Sequence, residues 1–326
     1  MTAVETVTGA VDVAELGRTY MHEHVFVLSS EHVQNYGAGA WWDEEERIAD
    51  AVTKLRGLVA HGVTTIADPT VWGLGRYIPR VRRIAEQVPE LNIIVATGLY
   101  TYDDLPFQFH YRGPDTLLGG PDPLVEMFTR DIVEGIADTG VKAAFLKCCV
   151  EAQGLTPGVT RVLRAVAAVH RETGAPITVH TSAGAQSGRL AVGLLGEEGV
   201  DLSKVVIGHA GDSNDLDYLM ELADTGAILG MDRFGLDVYN PTAQRVATVA
   251  ALCERGYADR MVLSHDASCY MDWFGPDPES LRGMVPNWHY EHIGDDVLPA
   301  LRALGVTDAQ FDQMLVGNPR RYFSRS

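Results

Sequence analysis

The feature that most constrains this chain is a rhythm. Short runs rich in apolar and β-branched residues recur along the 326 residues at Tyr20 to Leu28, Val63 to Thr70, Asn92 to Tyr100, Lys142 to Cys149, Pro176 to Thr181, Val205 to Gly211, Ala227 to Arg233 and Met261 to Ala267. Segments of helical periodicity lie between them. Ile48, Val52, Leu55 and Val59 make one stripe within Asp43 to Ala60, and Leu124 to Ala137 and Val159 to Thr173 repeat the pattern. Asn214 to Thr225 opens on a residue suited to capping and stops at Gly226. Strands that are apolar on both faces and alternate with helices belong to a parallel sheet covered by helices. Eight of them predict the α/β class and a closed (β/α)8 TIM barrel. The alternative, a doubly wound open sheet, lacks its usual mark, because no G-x-G-x-x-G follows the first run. Val4 to Val13 alternates around Gly9-Ala10 and predicts a small hairpin, over about residues 4–13, that covers one end. No repeat or linker rich in Pro, Gly and Ser interrupts the chain, so a single barrel domain is expected over residues 1–326.

A (β/α)8 barrel keeps its chemistry at the C-terminal ends of the strands, and several of the runs end on residues able to bind a metal. The first carries His22 and His24 around Glu23. On a strand, residues i and i+2 share a face, so both imidazoles can grip one ion while Glu23 points away. Lys147 follows in the fourth run, His180 in the fifth, His209 in the sixth and Asp266 in the eighth. Each alone has a plain structural use, as a bonded core histidine, a snorkelling lysine or a helix cap. Together, at equivalent positions, they do not. His61 and His170 fall near helix ends, and His265 is expected to face opposite Asp266.

Four imidazoles and a carboxylate exceed what one tetrahedral zinc needs, so the set predicts a binuclear centre of two divalent metal ions. Lys147 is the informative member. An ammonium group cannot ligate a metal and would sit unpaired in an apolar strand beside two cations. Carbamylation by CO2 makes it an anion able to bridge the pair, and two divalent ions against carbamate, Asp266 and hydroxide leave a charge of about +1 to act on a substrate oxygen. A Schiff-base lysine is the competing use, and it explains none of the histidines. Zn2+ is the first expectation, and Co2+, Mn2+ and Fe2+ suit the same donors.

Composition removes other classes. Lys+Arg 26 against Asp+Glu 44 gives a net charge of −18, which repels nucleic acid and anionic membrane. Four cysteines without a C-x-x-C pair suggest reduced thiols, and the acidic N-terminus carries no leader-like segment, so a cytoplasmic protein is expected.

These residues resemble the phosphotriesterase-like lactonases, the branch of the amidohydrolase superfamily that includes bacterial phosphotriesterase. The matching pieces are Thr19-Tyr20-Met21-His22-Glu23-His24, Gly98-Leu99-Tyr100-Thr101-Tyr102, Phe145-Leu146-Lys147, Val179-His180-Thr181, Gly208-His209-Ala210-Gly211-Asp212-Ser213, Gly230-Met231-Asp232-Arg233-Phe234-Gly235 and Ser264-His265-Asp266. Thr181-Ser182-Ala183 departs from many relatives, which have a second histidine there that is not a ligand. The resemblance implies that His22, His24 and Asp266 hold a buried metal, that His180 and His209 hold a more exposed one, and that carbamylated Lys147 and a hydroxide bridge them. It also implies a homodimer. Only a few residues separate Arg233 from a helix start near Pro241, where phosphotriesterase proper has an extended loop, and the pair Tyr100 and Arg233 fits the lactonase side as well.

The implied reaction is hydrolysis of a small-molecule lactone, an N-acyl homoserine lactone first (quorum quenching), with side activity on organophosphate triesters. Asp266 would take the proton of the nucleophile and pass it to the leaving alkoxide. Tyr100 would donate a hydrogen bond at the centre, and Arg233 would either orient the lactone ring or join a loop salt bridge. Tyr100, Tyr102, Arg233, Met271 and Trp273 are the expected substrate contacts. Ser268 to His292, with Met271, Trp273, Phe274, Met284 and Trp288, reads as a lid or acyl channel, or else as a dimer interface. A phosphotriesterase or another metal-dependent hydrolase is the alternative, and a non-catalytic binding barrel is disfavoured by six competent ligand positions.

Overall fold

Backbone pairing assembles the runs in sequence order. The structure, a computed structural model, describes residues 2–37, 43–274 and 283–324. Strands β1 (Ala3–Thr6) and β2 (Gly9–Asp12) form an antiparallel hairpin. The barrel wall follows as β3 (Thr19–Tyr20), then β5 (Thr65–Asp68), β6 (Asn92–Gly98), β7 (Phe145–Val150), β8 (Ile177–Thr181), β9 (Val205–Gly208), β10 (Ile228–Met231) and β11 (Met261–Leu263), each parallel to the next. This is the (β/α)8 barrel, nearly closed.

The first run does not stay one strand. It splits into β3 and β4 (His24–Val27), and β4 pairs in parallel with β12 (Ser268–Met271), beyond the eighth wall strand. His22 lies in the break. The reason is the seam between β11 and β3, where no ladder forms and single bonds do the joining. His22 N–H donates to Ser264 Oγ at 2.8 Å, Asp266 N–H to the His22 carbonyl at 3.0 Å, and His24 N–H to the Ala267 carbonyl at 2.8 Å.

The barrel interior is filled by Ile94, Ala96, Phe145, Val206, Ile228 and Val262, and Tyr322 and Phe323 of the helix Asn318–Phe323 close the floor beside Val4 of the hairpin. Phe145 is fully buried with its ring centroid 6.0 Å from that of Phe323, and burying a ring this completely stabilises by roughly 1.5–3 kcal/mol. Outside the wall, the helix Glu44–Ala60 turns Ile48, Val52 and Leu55 inward, and Asp43 caps it by accepting from Glu46 N–H. The helices Pro123–Val133 and Pro157–Thr173 each begin with proline in the first turn, where its missing N–H costs nothing. The helix Leu216–Asp224 is capped by Asp215 and not by Asn214, whose amide bonds Asn240 and Gln244 instead. Gly98 ends β6 at φ +147°, facing Lys147 in the ladder, and a Cβ there would lie 1.9 Å from the Lys147 carbonyl oxygen. Only glycine lets β6 approach the lysine strand this closely. Among the described residues no helix is long and apolar enough to cross a membrane.

Candidate metal centre

Six buried or nearly buried side chains meet at the C-terminal end of the barrel. Asp266 Oδ1 lies 3.2 Å from His22 Nε2 and 3.3 Å from His24 Nε2. Lys147 Nζ is 3.3 Å from the same His22 Nε2, and His209 Nε2 is 2.8 Å from His180 Nδ1. Nitrogen and oxygen ligands about 2.0–2.1 Å from an ion are separated by roughly 3.3 Å in a tetrahedron and less where they meet at right angles. The donor spacings therefore suit divalent ions. Asp266 reaches this position with φ +54° and His209 with φ +63°, left-handed conformations unusual for either residue.

The far nitrogen of each imidazole is engaged, which fixes the tautomer that faces the centre. His24 Nδ1 donates to Thr70 Oγ1 at 2.7 Å, and that hydroxyl donates to Asp68. His180 Nε2 donates to Glu151 at 2.6 Å. His22 and His209 share one acceptor, Asp232, at 2.9 and 3.0 Å through their Nδ1 atoms. Asp232 with these two histidines also forms a group compact enough to hold an ion. That geometry is better read as hydrogen bonding, because both carboxylate oxygens already accept N–H groups.

Charge follows burial. Burial pushes the His180 imidazole down to about 4, against the pull of Glu151, and it lowers His22 and His209 as well. All three stay neutral and keep a lone pair for a metal. The bond from His180 holds Glu151 down at about 2. Burial would raise the Asp266 carboxyl, but its surroundings, with the Arg233 guanidinium bonded to Oδ2, prevail and hold it well below the carboxylate range. Lys147 is lowered, with burial the main cause.

The substrate-side residues surround this cluster. Arg233 donates from Nε to Asp266 Oδ2 at 2.9 Å and from Nη1 to Asp212 Oδ2 at 3.0 Å, while Arg245, buried, reaches Asp212 at 2.6 Å. Arg233 thus forms ion pairs with both carboxylates. Tyr100 Oη lies 3.2 Å from His180 Nδ1 and 2.9 Å from Tyr102 Oη, and burial raises its pKa so that it remains a phenol. A cavity of about 490 Å3 opens above the donors. All eleven candidate residues line it, including Met271 and Trp273. Leu236, Val238, Tyr239, Phe274, Met284 and Trp288 complete an apolar wall. Of the segment expected as a lid, residues 275–282 lie outside the described residues.

The residues that orient the donors are Asp232, Glu151, Thr70 and Asp68, none of them among the candidates the sequence offers, and Glu23, which points away from the pair as expected and accepts from both His265 N–H and His265 Nδ1 and from Ala267 N–H. A signal existed for Glu151. Lys147 and Cys149 share a face of β7, and Glu151 continues that period of two one residue past the strand end.

The phosphotriesterase family model matches residues 2–323. A phosphotriesterase homology protein of Mycobacterium tuberculosis is 58% identical over all of this chain and 98% of its own length. An aryldialkylphosphatase of Saccharolobus solfataricus is 36% identical, with 97% of each chain covered. The solved structure of the phosphotriesterase from Mycobacterium tuberculosis superposes with a TM-score of 0.95, covering 99% of this chain and 98% of that one.

Proposed function

The chain belongs to the phosphotriesterase family of the amidohydrolase superfamily and is a metal-dependent hydrolase, and we propose that within this family it is a lactone hydrolase, acting first on N-acyl homoserine lactones and more weakly on organophosphate triesters. The observation that carries this reading is an apolar cavity of about 490 Å3 set directly over the donor cluster. Its two described cations are already engaged: Arg233 is held by two carboxylates, and Lys147 lies beneath among the donors. A neutral polar head with an apolar tail suits that wall, whereas a charged tail would find no counterion there. The short passage from Arg233 to the helix Thr242–Glu254 adds Leu236, Val238 and Tyr239 to that wall.

In this reading His22, His24 and Asp266 would hold one divalent ion, His180 and His209 would hold the other, and Lys147 as a carbamate would supply further anionic oxygens to both, with zinc the first choice of metal. The Lys147 ammonium gives up one proton, which burial favours, the amine attacks CO2 through Nζ so that the N–C bond forms as one C=O π bond opens, and a second proton leaves, which exchanges a cation for an anion. Bound there, the ions would acidify water and polarise the substrate carbonyl. Asp266 presents Oδ1 to the donors while Arg233 holds Oδ2, whose second lone pair takes a proton and returns it to the leaving alkoxide. Tyr100, kept as a phenol, donates to the carbonyl oxygen.

A second reading makes phosphotriesters the main substrates, favoured by the name of the Saccharolobus relative. One panel separates the two: kcat/KM for acyl lactones of graded chain length beside a dialkyl aryl phosphate, with bound metal counted. Preference for the lactones by 100-fold or more supports the first reading, and the reverse order supports the second. Inertness towards both in a fully metallated protein sinks both.

A further inference from the structure

We propose that Asp232 is a positioning residue whose two oxygens set the imidazole tautomers of the two halves of the centre separately. The proposal rests on the ligand reading given above. Asp232 is fully buried at the end of β10. Its Oδ2 accepts from His22 Nδ1 at 2.9 Å, while its Oδ1 accepts from His209 Nδ1 at 3.0 Å and from the His209 backbone N–H at 2.7 Å. The carboxylate is caged, because a Cβ on Gly230 would sit 2.5 Å from Oδ2. The other two imidazoles have acceptors of their own in Thr70 and Glu151.

A carboxylate only accepts, so both Nδ1 atoms must carry hydrogen and both Nε2 atoms turn a lone pair towards the donor cluster. The two oxygens are not equivalent. Oδ1 serves two donors, one of them a backbone amide that cannot turn away, whereas Oδ2 serves His22 alone. In Asp232→Asn the amide oxygen therefore stays at the Oδ1 position and its NH2 faces His22 Nδ1. That nitrogen must now accept, so the His22 proton moves to Nε2, the atom that faces Asp266 and Lys147. His209 keeps its tautomer. The substitution is isosteric, yet it should weaken one site and spare the other.

The test is metal titration of stripped protein with Zn2+, followed by calorimetry and elemental counting. The parent should take two ions. Asp232→Asn should take one with parental affinity and the other ten- to hundred-fold more weakly. Asp232→Ala, which leaves both Nδ1 atoms without an acceptor, should weaken both. A parent that binds fewer than two ions overturns the ligand reading and this proposal with it. A parent that binds two, beside an Asp232→Asn variant that holds both at parental affinity or loses both equally, overturns the positioning role alone. Should the variants fail to fold, nitrogen-15 spectra of histidine-labelled parent protein without metal decide the matter. His22 and His209 should both appear protonated at Nδ1, and an Nε2–H tautomer for either refutes the proposal.

Discussion

Replacing Trp273 by alanine should erase the preference for long acyl chains while leaving the chemistry intact. Trp273 is 48% exposed and stands in the apolar wall of the cavity. An indole presents roughly 200 Å2, so about 100 Å2 remains open to a bound tail, worth at most about 2.5 kcal/mol at about 25 cal/mol per Å2, or roughly 70-fold in kcat/KM. One buried CH2 contributes about 0.8 kcal/mol, a factor of about four, so that surface corresponds to about three methylenes. The parent should therefore gain about fourfold per carbon over about three carbons, and the variant should be flat across the same span. Its longest substrates should lose ten- to 70-fold, and its shortest should stay within about twofold. The assay is initial-rate lactone hydrolysis well below KM at equal metal content. Identical slopes in parent and variant would refute the contact. Equal losses at every chain length would mean that the indole only holds the wall in shape.

Lys147→Ala should lose most of its bound metal and activity, with partial rescue by short carboxylates. Full metal content by elemental analysis would sink the bridging role. Asp266→Asn should lose turnover and metal together, because Arg233 Nε–H claims the amide oxygen and turns the NH2 towards His22 and His24. Arg233→Met added to that variant should restore metal but not kcat, and an unchanged kcat in the single variant would place the proton elsewhere. Without metal, the protein should be fully stable above about pH 6.5 and weaken as pH falls towards 4. His180, lowered to about 4, binds fewer protons folded than unfolded across that window, a difference of about 3 kcal/mol. Glu151, lowered to about 2, extends the loss further into acid. Urea midpoints that do not move with pH would contradict both.

The barrel was legible because eight apolar runs separated by capped helices leave few ways to bury two-sided strands. That the six side chains would meet was legible because functional residues of such a barrel lie near the C-terminal ends of its strands, which reduces the search to a few positions. What stayed hidden was relational. Nothing local to Asp232 says that it touches both His22 and His209, since the first contact spans 210 residues. The break at His22 was equally invisible, because Tyr20 to Leu28 reads as one strand and only the seam interrupts it. Asn214 looked like a cap because its side chain can serve as one, but the neighbouring Asp215 does so and frees Asn214 to bond across to Asn240.

The seam has a kinetic meaning too. The His22 to Ser264 bond joins residues 242 apart, and contacts of that range form after local ones have been made. His22 and His24 enter from the first wall strand and Asp266 from just beyond the last, so the three come together only as the circle completes. The pair His180 and His209, at the ends of the neighbouring strands β8 and β9, does not depend on that closure. The group His22, His24 and Asp266 is therefore assembled by long-range closure, whereas the other half of the cluster is assembled by strand neighbours.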